Sequence, residues 1–564
     1  MRSKILSVLL SLVCAFGFTG CALFEHNYEK DYQQVIVEIS PVTETYNDRE
    51  ITTKAHKIYK SELVSLANNN LASLVNSGYS QEDAINYLVD QLVQQKLLIN
   101  EADFRIQTGE IEWGMTEDNA VLKTVYATID SELKTIRNEI RSERGESVAS
   151  DDTTDSTDSA TTTYPVPETE EADETEDTEV WVPDEGRVPG KYGTDEEISL
   201  DNEAMRRLLE LFRENIDADF RLSSADRKAY LNEIEELFAL GTSDSYSAVY
   251  LKLGEAGSVD WLIGESARDN QKITLLQEYL TDSVSVTYNQ VSNYFSNTLK
   301  SQKSSFADLS SFNSAVGDGS QTILYYPSDK YLYVKHILIP FSDAQTAEYT
   351  AWKNDHPEAT KAQKEAYRAQ MVNGIKAYAH FEGEDDKSYA YSAQEIFTEV
   401  KAAMASYEAT GNVAGAEKKF EEFIYKFNTD PGIFDSDFGY AVAYELDEGE
   451  SETYMTEFAE AARAFRDDGY SVGQIYDEMV VTDYGVHIMY YAKDPAVGEV
   501  KITDRLTPGS DKTYYDLFEE ELLTEFRNAR FNNWLNERIL YYENLEGDDE
   551  IIHIYSDRFE DLIK

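Results

Sequence analysis

The stretch that decides the fold of the C-terminal half is residues 331–339, which read Y-L-Y-V-K-H-I-L-I. β-Branched and aromatic residues fill a segment of strand length, and this pattern predicts a β-strand. Because side chains alternate between the two faces of a strand, His336 shares a face with Val334 and Leu338. A second histidine, His487, begins another predicted strand after a turn that contains glycine. The chain has only seven histidines, so two at core-facing positions of two strands indicate a pair.

Three interpretations of the two histidines are open from the residues alone. The simplest is structural: two neutral rings share a hydrogen bond beneath a groove. A zinc site is weaker, because the histidines are far apart in sequence and no third ligand at a typical spacing accompanies them. A nucleophilic triad is weaker still, since the sequence has no G-x-S-x-G motif and its two cysteines lie in the first 21 residues.

Outward from these strands, the pattern changes to helix on both sides. Apolar residues recur at helical spacing in three regions, and Ser80 with Asp83 resembles an N-terminal capping box. The sequence therefore predicts an α+β fold: one α+β unit with a small antiparallel sheet, bracketed by helices that form a separate body. The predicted helices lie at 80–102, 202–300 and 513–545, and further strands at 35–37, 438–444 and 488–492.

The chain is strongly acidic, and this excludes one class of partner. The 564 residues contain 50 Lys and Arg against 107 Asp and Glu, a net charge of −57. Nucleic acid is excluded as a partner, because binding it requires clustered basic residues. Residues 150–200 hold 17 acidic residues against Arg187 and Lys191, and we expect them to form a disordered spacer. A calcium site there lacks the D-x-D-x-D-G ligand spacing.

The first 21 residues predict export and a lipid anchor. Arg2 and Lys4 precede an uncharged apolar run that is too short to span a bilayer comfortably, as in a secretory signal. The run ends in F-T-G-C at residues 18–21, which resembles the lipobox of bacterial lipoproteins. That resemblance implies lipidation of Cys21 and a location on the extracytoplasmic face of a Gram-positive-type cell membrane. An ordinary signal peptide with a chance cysteine is the alternative.

Four segments of the α+β unit, read in order, resemble parvulin-type peptidyl-prolyl isomerases. They are V-K-H-I-L-I at 334–339, F-N-T-D-P-G at 427–432 with D-F-G-Y at 437–440, F-A-E-A-A-R-A-F at 458–465, and T-D-Y-G-V-H-I at 482–488. Residues 87–98 are similar to the N-terminal chaperone module of PrsA and SurA foldases. Together with the lipobox, these segments resemble a PrsA-type foldase lipoprotein.

The resemblance divides the chain and implies a site. The implied segments are a signal peptide at 1–21, an N-terminal helical domain at 22–145, an acidic linker at 146–200, a helical chaperone segment at 201–325, a parvulin-like domain at 326–495 with a long helical insertion at about 344–415, and a C-terminal helical segment at 496–564. The implied catalytic residues are His336, Asp430, Thr482, Tyr484 and His487, and the implied substrate-binding residues are Met455, Phe458 and Phe438. No cofactor or metal is implied.

Three departures from the family pattern bear on the expected site, and one of them is that Asp435-Ser436 replaces the family's glycine pair before Asp437. Asp430 follows His336 by 94 positions, a far longer separation than in the family, which is why an insertion is expected. Met455 stands three residues before Phe458 where the family has four, so either the helix is offset or Tyr454 takes that place.

Three functions follow as hypotheses. The first is an exported isomerase and foldase that acts on unfolded polypeptides with X–Pro bonds. The second is a chaperone whose parvulin-like domain binds chains without catalysis. The third, a solute-binding lipoprotein of a transporter, fits the anchor but not the four ordered motifs. A homodimer is left open, and the purpose of the insertion is not predicted.

Overall fold

The computed structural model describes residues 30–144, 180–183, 188–191, 195–241, 246–317, 319, 321–378, 390–434, 436–447, 450–543 and 550–563. The predicted signal segment, Cys21 and most of the acidic linker lie outside these residues. The described chain mixes helices with small antiparallel sheets, so the α+β class is confirmed.

Fifteen helices are numbered below; irregular helical turns at Gly257–Val259 and Asp260–Gly264 lead into the seventh of them. They are α1 (Lys60–Asn76), α2 (Gln81–Thr108), α3 (Met115–Glu143), α4 (Asp195–Ala218), α5 (Ser224–Leu240), α6 (Ser247–Leu253), α7 (Glu265–Thr281), α8 (Tyr288–Ser305), α9 (Leu309–Gly317), α10 (Asp343–Asp355), α11 (Lys361–Val372), α12 (Ala393–Thr410), α13 (Val413–Phe427), α14 (Thr456–Asp467) and α15 (Tyr514–Glu543). The predicted capping residue is in place: the Ser80 hydroxyl accepts a hydrogen bond from the backbone N–H of Asp83 at the start of α2.

Thirteen strands form five antiparallel sheets in the described residues. They are β1 (Val35–Ile39), β2 (Thr43–Tyr46), β3 (Arg49–Thr52), β4 (His56–Tyr59), β5 (Tyr325–Tyr326), β6 (Tyr331–Pro340), β7 (Lys376–Tyr378), β8 (Ala390–Ser392), β9 (Tyr440–Ala443), β10 (Val480–Val481), β11 (Gly485–Lys493), β12 (Gly498–Glu499) and β13 (Ile552–Ile554). The strand predicted at 331–339 is β6. It lies inside its sheet, between β11 and β9, and is therefore buried along almost its whole length.

The central sheet has four strands in the order β10-β11-β6-β9. Alternation along β6 and β11 sends side chains to two separate cores. On one face Val334 and Met489 pack against Phe458 and Phe465 of α14. On the other face a second buried cluster is formed with α12 and α13. Both central strands are therefore buried on both faces, which fixes their register.

A helical body is built from both ends of the chain. Its small sheet has the order β13-β1-β4, with Val37 of β1 paired to Ile554 on one side and Ile58 on the other. The ammonium group of Lys60, 1% exposed, donates to Asp31 at 2.6 Å and to Asp561 at 2.7 Å.

Helices from three separate stretches of sequence share one apolar cluster in this body. Its buried members come from α2, α7 and α15 and from the loop after α2. They are Leu98, Ile99, Ala102, Ile111, Ile273, Leu276, Phe531 and Leu535. The central sheet is thus inserted between parts of the body that fold together.

Two buried lysines join the central sheet to its surroundings. Lys335 on β6 donates to Glu417 at 2.8 Å and to Glu421 at 2.5 Å, and Glu417 also accepts from Thr507. Lys493, at the end of β11, donates to the Tyr514 hydroxyl at 2.7 Å. Burial lowers the pKa of Lys493 to about 7. Four aromatic rings surround its ammonium group at 4.5–5.8 Å, from Tyr326, Tyr333, Phe438 and Tyr514.

Two sequence expectations need correction. The acidic linker was expected to run to residue 200, but α4 begins at Asp195 and Val188 is buried in the core under α3 and α4. An apolar residue close to a helical core is ordered despite its acidic neighbours. The connection between β6 and β9 is not purely helical, because β7 and β8 form a hairpin between α11 and α12.

No helix in the part of the chain described here has an apolar stretch long enough to cross a membrane.

Candidate functional site

The two histidines meet on the α14 face of the central sheet. In the register of β11 against β6, His487 pairs with Leu338 and Met489 pairs with His336, so the histidines are diagonal neighbours. Their Nδ1 atoms lie 2.9 Å apart, within hydrogen-bond distance. His336 is 2% exposed and His487 is 6% exposed. The sharing of a hydrogen bond that the strand pattern suggested is present in the structure.

The pair extends at both ends into a chain of hydrogen bonds. At one end His336 Nε2 lies 2.9 Å from Asp430 Oδ2. At the other end His487 Nε2 lies 2.8 Å from the Thr482 hydroxyl, which also accepts from the backbone N–H of Tyr484 at 3.2 Å. We call these five residues the relay. It runs from a partly exposed carboxylate, through buried rings, to an exposed turn.

The charge states within the relay follow from its partners. Burial by itself raises the pKa of the Asp430 carboxyl, but the hydrogen bonds from His336, Tyr440 and the backbone N–H of Gly432 bring the pKa below its ordinary value. Burial, assisted by the neighbouring His336, lowers the pKa of His487 well below its ordinary value. Every contact of the relay is satisfied when Asp430 is ionised and each ring carries one proton.

The sequence F-N-T-D-P-G places Asp430 at the end of β6. The side-chain oxygen Oδ1 of Asn428 accepts a hydrogen bond from the backbone N–H of Leu338 at 2.8 Å. The side-chain nitrogen Nδ2 of Asn428 donates to the backbone carbonyl of Asp430 at 2.6 Å. The backbone N–H and the hydroxyl of Thr429 both donate to the Leu338 carbonyl at 3.1 Å. Asp430 then accepts from the backbone N–H of Gly432 at 3.0 Å, a turn typical of Asp before Pro-Gly.

The turn at the other end of the relay needs its glycine. Gly485 has φ of +149°, and a Cβ there would lie 2.2 Å from the Ile339 carbonyl oxygen of the neighbouring strand. The close approach of the two backbones is what brings Thr482 and Tyr484 beside His487.

An aromatic floor adjoins the histidine pair. The Phe458 ring contacts both histidine rings edge to face, each with centroids 5.2 Å apart. Tyr454 and Tyr440 pack on Phe458 with centroids at 5.6 and 6.3 Å. Phe458 is only 4% exposed, so the two tyrosines cover it in this state.

The structure brings together seven of the eight implied site residues, counting Met455, which caps α14 directly beside the floor. Tyr484 is 60% exposed at the rim. Phe438 is the exception: it packs against Tyr333 and Tyr514, under the ammonium group of Lys493. The substrate-binding role expected for Phe438 does not fit this position.

Two tyrosines that are not among the eight implied site residues also lie at the site, and one of them, Tyr454, is the residue expected as the alternative to Met455. The Tyr440 hydroxyl donates to Asp430 Oδ2 at 2.9 Å, and its ring lies 5.2 Å from that of His336. Tyr454 covers Phe458 and also lines an open cavity of about 270 Å³ between α9, β9 and the loop before α14. The signal for Tyr440 was present in the sequence, since D-F-G-Y ends in an aromatic residue where a strand begins.

No group of three or more His, Cys, Asp or Glu side chains in the described residues is arranged to hold a metal ion.

Comparison with known proteins gives no match of any of three kinds. No family model matches the chain, and neither a curated protein nor a solved structure does. What the site can do must therefore be argued from its residues and their geometry.

Proposed function

We propose that this chain is an extracytoplasmic foldase whose central sheet carries a parvulin-type peptidyl-prolyl cis/trans isomerase site. The observation that supports it best is the relay from Asp430 through His336 and His487 to Thr482, set directly against the Phe458 ring. In this proposal the parvulin-like domain is residues 326–495, and the helices between β6 and β9 contain its insertion.

The reaction requires no bond cleavage and no cofactor. An X–Pro amide rotates over a barrier of about 18–20 kcal/mol because its C–N bond has partial double-bond character. A catalyst must bind the twisted amide better than either planar form. In the proposal, Phe458 and Met455 receive the proline ring after Tyr454 moves aside. The Asp430 carboxylate, at the partly exposed end of the relay, disfavours the charge separation of the planar amide.

The histidines have a supporting role in this proposal. Both rings are buried, so they are placed to orient Asp430 and Thr482 and to form the base of the slot. Tyr484, exposed beside Thr482, is placed to contact the chain on one side of the proline.

The proposed setting follows from the sequence. Cys21 would carry the lipid that tethers the protein to the outer face of the cell membrane, and the clients would be unfolded or partly folded exported polypeptides with X–Pro bonds. The helical body would hold such clients near the site.

The test is catalysis of proline isomerisation by residues 22–564, measured by proline-limited refolding of a model protein and by NMR exchange of an Ala-Pro peptide. We expect acceleration that falls with D430A and with H487A. The control K361M, which removes an exposed ion pair between Lys361 and Glu460 on the same domain, should leave it unchanged. Circular dichroism and hydrogen exchange establish that each variant is folded. No acceleration by the folded wild-type chain would refute the isomerase.

A non-catalytic chaperone is the second candidate, favoured by the near-complete burial of Phe458 beneath Tyr454 and Tyr440. If that cover does not open, the domain binds chains without catalysing. The isomerisation assay separates the two candidates: the chaperone suppresses aggregation of an unfolded client, equally in wild type and D430A, but does not accelerate proline isomerisation.

A further inference from the structure

Two helices that follow β6, α10 and α11, lie against the rim of the relay and its floor. Arg368 on α11 has a side chain that is 4% exposed. Its two terminal nitrogens donate to two different carboxylates, those of Asp483 and Glu457. One cation from α11 thus holds two anions that belong to two other elements of the domain.

Each of the two carboxylates belongs to a residue that adjoins a member of the candidate site in the sequence. Asp483 directly follows Thr482, the last buried member of the relay, in the turn before β11. Glu457 directly precedes Phe458 in the first turn of α14. Arg368 therefore bridges the turn that carries Thr482 and the helix that carries Phe458.

The energetics of this cluster favour a positioning role over simple stabilisation. Taking charges out of water is expensive, and well-packed apolar residues often stabilise a protein more than a buried ion pair does. The Nε atom of Arg368 makes no hydrogen bond within the described residues. Lys353 of α10 donates to Asp483 at 2.9 Å, so both helices hold the same turn.

We propose that Arg368 is a positioning residue of the proline site and that α10 and α11 serve to deliver it. This inference rests on the proposed isomerase function and assigns a role to a part of the chain for which the sequence predicted none. Without its two hydrogen bonds, the turn that carries Asp483 can move away from α14. The space beside Phe458 that would receive the proline ring then widens, and the twisted amide is bound less well.

The chain offers a matched control on the same pair of elements. Lys361, at the start of α11, donates to Glu460 of α14 at 2.9 and 3.0 Å. This ion pair also links α11 to α14, but both of its side chains are more than half exposed. A general tether between the helices would be weakened by the loss of either pair.

The experiment compares R368M, R368K and K361M in residues 22–564, with NMR exchange of an Ala-Pro peptide as the assay. A misplacement on the order of 1 Å in a site can reduce the rate about 100-fold. We expect kcat/KM to fall about 10- to 100-fold in R368M. R368K, whose single ammonium group replaces a two-armed donor, should be intermediate, and K361M should match wild type.

A second readout separates failure of this inference from failure of the proposed function. The imidazole ¹⁵N resonances of His487 report the relay without any catalysis, and they should shift in R368M but not in K361M. If wild type is active and R368M keeps full kcat/KM while folded, the positioning role is overturned. If wild type is inactive, unchanged His487 resonances in R368M overturn it equally.

Discussion

Replacing Thr482 with Val removes one hydroxyl from the relay while the shape of the side chain is kept. Thr482 is fully buried, and its hydroxyl is within hydrogen-bond distance of His487 Nε2 at 2.8 Å and of the Tyr484 backbone N–H at 3.2 Å. Tyr484 is 60% exposed, so we expect water to reach its backbone N–H after the change. The His487 nitrogen is buried and loses its partner.

The expected loss of stability follows from that single orphaned nitrogen. Leaving a buried polar group without a partner costs about 1–3 kcal/mol, so T482V should destabilise β11 against local opening by this amount. The matched control is T429V. The Thr429 hydroxyl donates to the Leu338 carbonyl, which keeps the backbone N–H of Thr429 as a second donor. Its loss should cost only about 0.5 kcal/mol.

Native-state hydrogen exchange, followed by mass spectrometry on peptides that cover β6 and β11, measures this local opening. The resulting difference of about 0.5–2.5 kcal/mol between the two variants corresponds to a roughly 2- to 70-fold faster exchange in T482V. Equal protection of β11 in T482V and T429V would show that His487 Nε2 does not depend on Thr482, and the place given to Thr482 in the relay would be wrong.

Three further predictions concern buried charges. In D430N, the free energy of unfolding should fall at neutral pH and approach that of wild type as the pH drops below the ordinary pKa of an aspartate, about 3.9, because a carboxyl whose pKa is lowered on folding stabilises only while it is ionised. At about pH 6, K493M should be more stable than wild type, and this advantage should shrink towards pH 9. Above pH 7 the folded wild type releases the Lys493 proton while the unfolded chain keeps it, so the free energy of unfolding of wild type rises by up to about 1.4 kcal/mol per pH unit. In K335M, the free energy of unfolding should fall by about 3–5 kcal/mol, because the buried Glu417 charge loses its partner. The double variant K335M/E417Q should recover part of this loss. Urea denaturation across pH measures all three.

Each of these predictions has an outcome that contradicts it. A D430N deficit that persists unchanged in acid would mean that the Asp430 side chain acts by packing and not by charge. A pH slope retained in K493M would assign the slope to another group. A double variant no more stable than K335M would show that the buried Glu417 charge is not what the lysine compensates.

The strands and the histidine pair could be predicted because their signals are local. Strand alternation alone put His336 on the face that carries Val334, and the structure places both beside Phe458. The place of Asp430 came from the resemblance of a short motif that also makes a local turn.

Phe438 was predicted wrongly to lie at the site because a single glycine reverses the direction of the backbone there. Gly439 has φ of +77°, and a Cβ would approach the Val334 carbonyl oxygen to 2.5 Å. The residue before this glycine turns towards Tyr514 and the residue after it, Tyr440, turns towards His336. A linear pattern does not contain that reversal.

Arg368 was out of reach for a different reason. Its partners lie 115 and 89 positions away in the sequence, and no periodicity or spacing connects residues at such distances. Only the way α11 packs against the central sheet brings them together. The physical signal is three-dimensional, so it appears first in the structure.

The pairing of β1 with β13 has a consequence for the order in which the molecule can be completed. Val37 and Ile554 are neighbours in one sheet, yet roughly 500 residues separate their synthesis. At about 5–20 residues per second this interval is on the order of 30 to 100 seconds. During that time β1 has one bare edge, and Lys60 lacks Asp561. The central sheet, whose last strand ends at Lys493, can close earlier. A nascent chain stopped before β13 therefore presents an assembled site on an unfinished support, with an open strand edge exposed to any other unfolded polypeptide nearby.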